Sequence, residues 1–189
     1  MTVPVISGGC PNPNEVDPCR PPYLLLGVQF TIALVIYGLV ARHYVLPRLA
    51  RLDFHAALAP VLLVQGFRFL GLSLLAPDQA AIGQDIDALT SIALGDLASA
   101  VLGVLAAAAA FRRSSATVPL AWAFTAVGLG DLALVGVTVA SEGVLEAGVG
   151  FIWALLGVYA PILTLSHVYV LWALLRRRRT SDAPVATTA

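Results

Sequence analysis

The stretch ALTSIALGDLASAVLGVLAAAAAF, residues 88–111, decides the fold class. It runs past the roughly 20 residues that a membrane-spanning helix needs, and Asp96 is its only charge. Four more runs of the same kind flank it, at residues 23–45, 52–76, 118–140 and 149–175. The connectors between them, RHYVLPRLARLD, APDQAAIGQDID, RRSSAT and SEGVLEAG, are short and polar or charged. The expected fold is therefore all-α, a polytopic transmembrane bundle of five spans.

Composition says the same. Of 189 residues, 59% are hydrophobic and 12% charged, and the mean hydropathy is +0.87. A soluble domain carries about a quarter charged residues. A chain with half that charge covers its outside with lipid rather than water. The formal net charge is zero, so no basic field points to nucleic acid.

Arginine placement sets the expected sidedness. Arg42, Arg48 and Arg51 fall in the first connector, Arg112 and Arg113 in the third, and Arg176 to Arg179 after the last span. With five spans, all nine share one side. The opposite side holds Arg20 and the acids Glu15, Asp17, Asp78, Asp85, Asp87, Glu142 and Glu146. The reading is an inner-membrane protein with its N-terminus extracytoplasmic and its C-terminus cytoplasmic. Tyr23 and Trp153 at outer ends, and Tyr44, Trp122 and Trp172 at inner ends, fit aromatic anchoring at the two interfaces. Residues 1–22 lack the basic and apolar regions of a signal peptide and read as an irregular tail. Cys10 and Cys19 lie in it, as a candidate disulfide or as two unpaired thiols. Residues 176–189 read as a basic, irregular cytoplasmic tail that attracts anionic lipid.

Every cation is Arg and none is Lys, which excludes a retinal Schiff base, a pyridoxal phosphate linkage and a lysine nucleophile. No P-loop, nucleophile elbow, HExxH or dinucleotide fingerprint is present.

The chemistry lies in the deep polar residues, because a charge inside a bilayer demands a partner or a function. Counted from the arginine-side ends of their spans, Arg68 is 16 residues in, Asp96 15 and Asp131 13. At about 1.5 Å per residue, all three reach roughly 20–24 Å. Gln65 shares a helix face with Arg68, and Gln29 reaches a similar depth counted from Val45. One guanidinium, with five donors, can bridge two carboxylates. The segment LGDLA recurs around both aspartates, and Gly95 and Gly130 beside them would let a neighbouring backbone approach. Gly95, Ser99 and Gly103 form a small-residue ridge for helix packing.

Two uses of such a layer stand side by side. One is a structural ion-pair network; the other is a polar site for a proton, ion or small solute. A membrane-embedded enzyme acting on a lipophilic substrate is a third reading. His167 and Thr164 share a face after Pro161, and His167 would lie a turn or two below the layer, as a proton relay or as a histidine bonded to nearby backbone. The depths of His55 and His167 differ by about six residues, roughly 9 Å, which staggered haem ligands could span, but nothing else in the sequence supports a haem and it is disfavoured. No metal or cofactor is expected. Five spans are few for a stand-alone transporter, so a homo-oligomer or a partner membrane subunit is expected.

The stretch Gln65-Gly66-Phe67-Arg68-Phe69-Leu70-Gly71-Leu72, the two Gly-Asp helices and Pro161 to His167 resemble small uncharacterised bacterial polytopic membrane proteins. No activity is assigned to those, so the resemblance implies only that Arg68, Asp96, Asp131 and His167 are the positions to watch.

Overall fold

The computed structural model describes residues 22–76, 86–141 and 153–181. Cys10, Cys19 and the tails 1–21 and 182–189 lie outside the described residues, as do Asp78, Asp85, Glu142 and Glu146. The fold is all-helical, with five helices long and apolar enough to cross a membrane.

Helix α1 runs over Pro22–Val40 and does not stop at Val45. It passes through a π turn, Ala41–Val45, into a last α turn, Leu46–Leu49. Pro47 has no N–H for the usual ladder, and the wider π turn just before it lets the helix continue. The span therefore reaches Leu49, four residues past the boundary the hydropathy suggests.

Helix α2 covers Phe54–Gly66 and then tightens into a nine-residue 3-10 helix, Phe67–Leu75. Sequence reading treats 52–76 as one α-helix, and this change of pitch is the main departure from it. Side chains three apart eclipse one another in a 3-10 helix. Arg68, Gly71 and Leu74 accordingly form one buried line, continued backwards by Gln65, while Phe67, Phe69, Leu72 and Leu75 face outward. Asp53 caps the start of α2, accepting from the backbone N–H groups of His55 at 3.1 Å and Ala56 at 3.2 Å.

Helices α3 (Ile86–Phe111) and α4 (Thr117–Ser141) are regular. The last helix, α5, has a π turn at Leu155–Tyr159 followed by Ala160–Ser181. Pro161 follows this π turn by the same two residues that separate Val45 from Pro47. The helix carries on through Arg176–Ser181, beyond the Leu175 boundary of the expected span. Arg176 lies 5.3 Å from the Trp172 ring centre and Arg177 4.3 Å from that of Phe54, so side-chain stacking extends the helix into its basic end. Cations at a helix C-terminus are also favoured by its dipole.

Helix α3 is central, packing on α2 along one side and α4 along another. Helix α5 closes the bundle against α2 and α4, and α1 packs chiefly on α5. Most apolar side chains of α1, among them Leu25, Ile32, Ile36 and Leu39, are exposed, as lipid-facing side chains are.

Contacts bring two of the arginines together at one end. Arg113 in the α3–α4 turn pairs with Asp53 at 2.7 Å, and Arg177 from α5 stacks on Phe54 beside it. Two apolar clusters fill the interior. Leu58, Leu62, Ala106, Ala107, Ala121, Phe124, Val170 and Leu174 pack in the arginine-end half. Leu74 and Ile92, with Val135, Leu155 and Leu156 against them, pack toward the other end. The ionised residues lie between the two.

Candidate functional site

Arg68 is the hub, and its side chain is 1% exposed. Its Nε donates to Asp96 Oδ1 at 2.7 Å, and its Nη2 donates to Asp131 Oδ2. Its Nη1 donates to the Gly128 carbonyl at 3.3 Å and lies 3.2 Å from His167 Nε2. Four of the five N–H groups are thus engaged by three helices, α3, α4 and α5. Two carboxylates against one guanidinium leave a formal charge of minus one.

The close fit depends on glycines that hydropathy does not single out. A Cβ on Gly71 would overlap the Asp96 carboxylate, and one on Gly95 would overlap Asp131 Oδ1. Gly130, the glycine next to Asp131, has nothing within 4 Å of such a Cβ. The two Gly-Asp pairs are therefore not equivalent. Gly95 seats the carboxylate of the neighbouring helix, while Gly71, rather than Gly130, supplies the second opening. The ridge residues Ser99 and Gly103 are buried, and a Cβ on Gly103 would lie 3.2 Å from the Leu62 carbonyl on α2.

His167 belongs to the layer itself. The expectation of a turn or two of separation compares Cα depths, whereas the Arg68 side chain reaches toward the arginine end and meets the ring there. His167 is fully buried and stacks on Phe124, with ring centres 4.5 Å apart and planes 9° from parallel. A Cβ on Gly128 would come within 2.6 Å of His167 Nε2, so that glycine makes the approach possible. Thr164, by contrast, donates to the Ala160 carbonyl of its own helix at 2.9 Å. His55 sits in the first turn of α2, edge-on to Phe54, far along the chain axis from the layer.

The glutamines divide. Gln65, fully buried, does not bond the ions; its Nε2 donates to the Leu163 carbonyl at 3.2 Å and to Ser166 Oγ, tying α2 to α5. Gln29 is not part of the layer. Its Oε1 accepts from Trp153 Nε1. The depth counted from Val45 placed it too far inward: with α1 ending at Leu49, it lies about 6 Å nearer the opposite end.

On the side away from the arginines, Arg68, Gly71 and Asp96 form the floor of a cavity of about 70 Å³. Leu74, Leu89, Ile92, Leu132, Val135, Leu155 and Leu156 wall it, and Tyr159 contributes its one further ionisable side chain. The Asp96 side chain is 18% exposed against 3% for Asp131, so Asp96 is the accessible carboxylate. The Tyr159 hydroxyl is buried and has no protein partner among the described residues. Sequence reasoning missed Gly71, Phe124, Gly128 and Tyr159. The signal for Gly71 is the three-residue spacing from Gln65 through Arg68 to Leu74, legible only once the 3-10 pitch is known. Among the described residues, no group of His, Cys, Asp and Glu has a metal-binding arrangement.

A family profile, that of a domain of unknown function (DUF8737), matches residues 25–175. The chain belongs to DUF8737. The matched region contains every residue of the layer and its cavity. No curated protein and no solved structure matches the chain. The DUF8737 chain is thus a multi-span membrane protein by helix composition, built around buried Arg68–Asp96 and Arg68–Asp131 ion pairs.

Proposed function

We propose that this protein binds a proton or small cation at the Asp96–Asp131 pair and uses that binding for translocation or sensing. The observation that carries the reading is the residual negative charge beside a cavity. Arg68 neutralises one carboxylate equivalent, and Asp96 borders open space while Asp131 is closed off. In a low-dielectric interior an uncompensated charge is costly, so a proton or cation is the natural counterpart. The positive-inside pattern, with Arg113 on Asp53 and Arg177 on Phe54, supports a cytoplasmic position for that end in a bacterial-type inner membrane. The cavity then faces outward. The exposed flank of α1 is available for lipid, a second copy or a partner membrane subunit. A disulfide between Cys10 and Cys19 would fit the same orientation.

The test uses protein reconstituted in liposomes carrying a pH-sensitive dye and monitored for cation flux. Asp96→Asn and Asp131→Asn should abolish pH-dependent or cation-dependent responses while the proteins remain folded. Unchanged responses in both variants refute the proposal.

A second reading has its own support, the near-complete saturation of Arg68. On that reading the layer fixes which helices are neighbours, and its variants lose stability without losing any response.

A further inference from the structure

The lining of the cavity on Asp96 suits some cations better than others, and the inference drawn from it rests on the cation-binding reading above. Its floor is one accessible carboxylate and a guanidinium already committed to two acids. Asp96 Oδ1 is taken by Arg68 Nε, and the other oxygen lies over Gly71. The Tyr159 hydroxyl is the remaining polar side-chain group on the walls, and it is buried with no protein partner among the described residues. All other lining side chains are aliphatic or glycine.

This set suits some ligands and not others. An anion meets the net negative charge. A bare metal cation needs several oxygen ligands to replace its water, and hard cations commonly take six or more. Here one carboxylate and one phenol are on offer. An ammonium group asks for less: its N–H bonds can go to the carboxylate and the phenol oxygen, and the phenol ring adds a favourable π face. The aliphatic walls then shelter an alkyl group from water. A cavity of about 70 Å³ limits that group to very few carbons, since a single water needs roughly 10–15 Å³ of such space.

We infer that the cavity formed by Asp96, Tyr159 and the leucines of α2 to α5 binds a small primary alkylammonium ion. Asp96 supplies the charge, Tyr159 accepts a hydrogen bond, and Leu132, Val135 and Leu156 pack the alkyl group.

The experiment measures thermal shift and binding with purified full-length protein in lipid nanodiscs. The probes are ethylammonium chloride, ethanol as the neutral analogue, and sodium and potassium chloride at matched ionic strength. Ethylammonium should give a saturable rise in melting temperature that the other three do not. Tyr159→Phe should weaken it about tenfold, the loss expected for one hydrogen bond from a charged donor. Val135→Phe, which fills the cavity without touching the ion pairs, should abolish it. Equal shifts with ethanol or the metal salts overturn the inference, as does no shift with ethylammonium or an unchanged shift in Val135→Phe. A retained pH response without ethylammonium binding removes this inference alone; loss of the pH dependence itself removes the underlying proposal.

Discussion

Arg68 Nη1 lies 3.2 Å from His167 Nε2, and this contact assigns the histidine its role. A guanidinium can only donate, so Nε2 is the acceptor and the imidazole carries its hydrogen on Nδ1. Adding a second proton would set two cationic groups against each other in a buried space. In this arrangement His167 positions Arg68, and a relay through its ring would require the guanidinium to move first.

The tautomer is directly observable. Nitrogen NMR of ¹⁵N-histidine-labelled protein in nanodiscs, with His43 and His55 assigned by substitution, should show His167 as the Nδ1–H form at neutral pH. Arg68→Met should lose that fixed pattern. A protonated ring in the wild-type protein would contradict the geometry.

Removing the hub should be costly. Arg68→Leu leaves two carboxylates without their cation, and breaking a buried pair typically costs about 3–5 kcal/mol. Asp131→Leu in the same chain should recover part of that loss, because it deletes one stranded charge. Denaturation in a mild detergent measures both. Asp96→Leu should cost less than Asp131→Leu, since Asp96 is the more exposed carboxylate.

Glycine substitutions should separate the two Gly-Asp pairs. Gly95→Ala and Gly71→Ala place a methyl group where a carboxylate sits, and overpacking of this kind costs about 1–3 kcal/mol. Gly130→Ala has open space and should be neutral or slightly stabilising in the same assay. A comparable loss at all three positions would show that helix packing, rather than carboxylate seating, governs the site.

Acid should loosen the arginine end first at Asp53. The Ala56 backbone N–H, then the Arg113 guanidinium and the His55 N–H, hold its carboxyl below the usual aspartate value. A group depressed in the folded state contributes stability above its unfolded value, near 4, and loses it as pH falls through the folded one. Protection of the amides in the first turn of α2, relative to their intrinsic exchange at each pH, should therefore fall below about pH 4. Asp53→Ala should show lower protection already at neutral pH and less change on acidification.

Much of this architecture is legible in the residues. Runs such as 88–111 can only be buried in lipid, because their backbone must satisfy itself as helix and their side chains offer water nothing. Arg68, Asp96 and Asp131 stand out for the same reason: each is expensive alone, so the chain must bring them together. Counting depth along ideal helices is enough to align these three. It fails for Gln29, where a π turn carries α1 past its hydrophobic boundary, and for His167, where a long side chain spans the difference in depth.

What the sequence by itself determined is a five-helix membrane protein with one arginine and two aspartates at a common level. Only the tertiary structure decided how they join. Hydropathy registers how much of a segment is apolar, but it is blind to pitch, to side-chain reach and to which backbone approaches which. The 3-10 turn of α2 lines up Gln65, Arg68, Gly71 and Leu74. The bare backbones at Gly71 and Gly95 seat the acids, and Arg68 reaches His167 across α4. Those are properties of packed helices, and they turn three matching depths into one site.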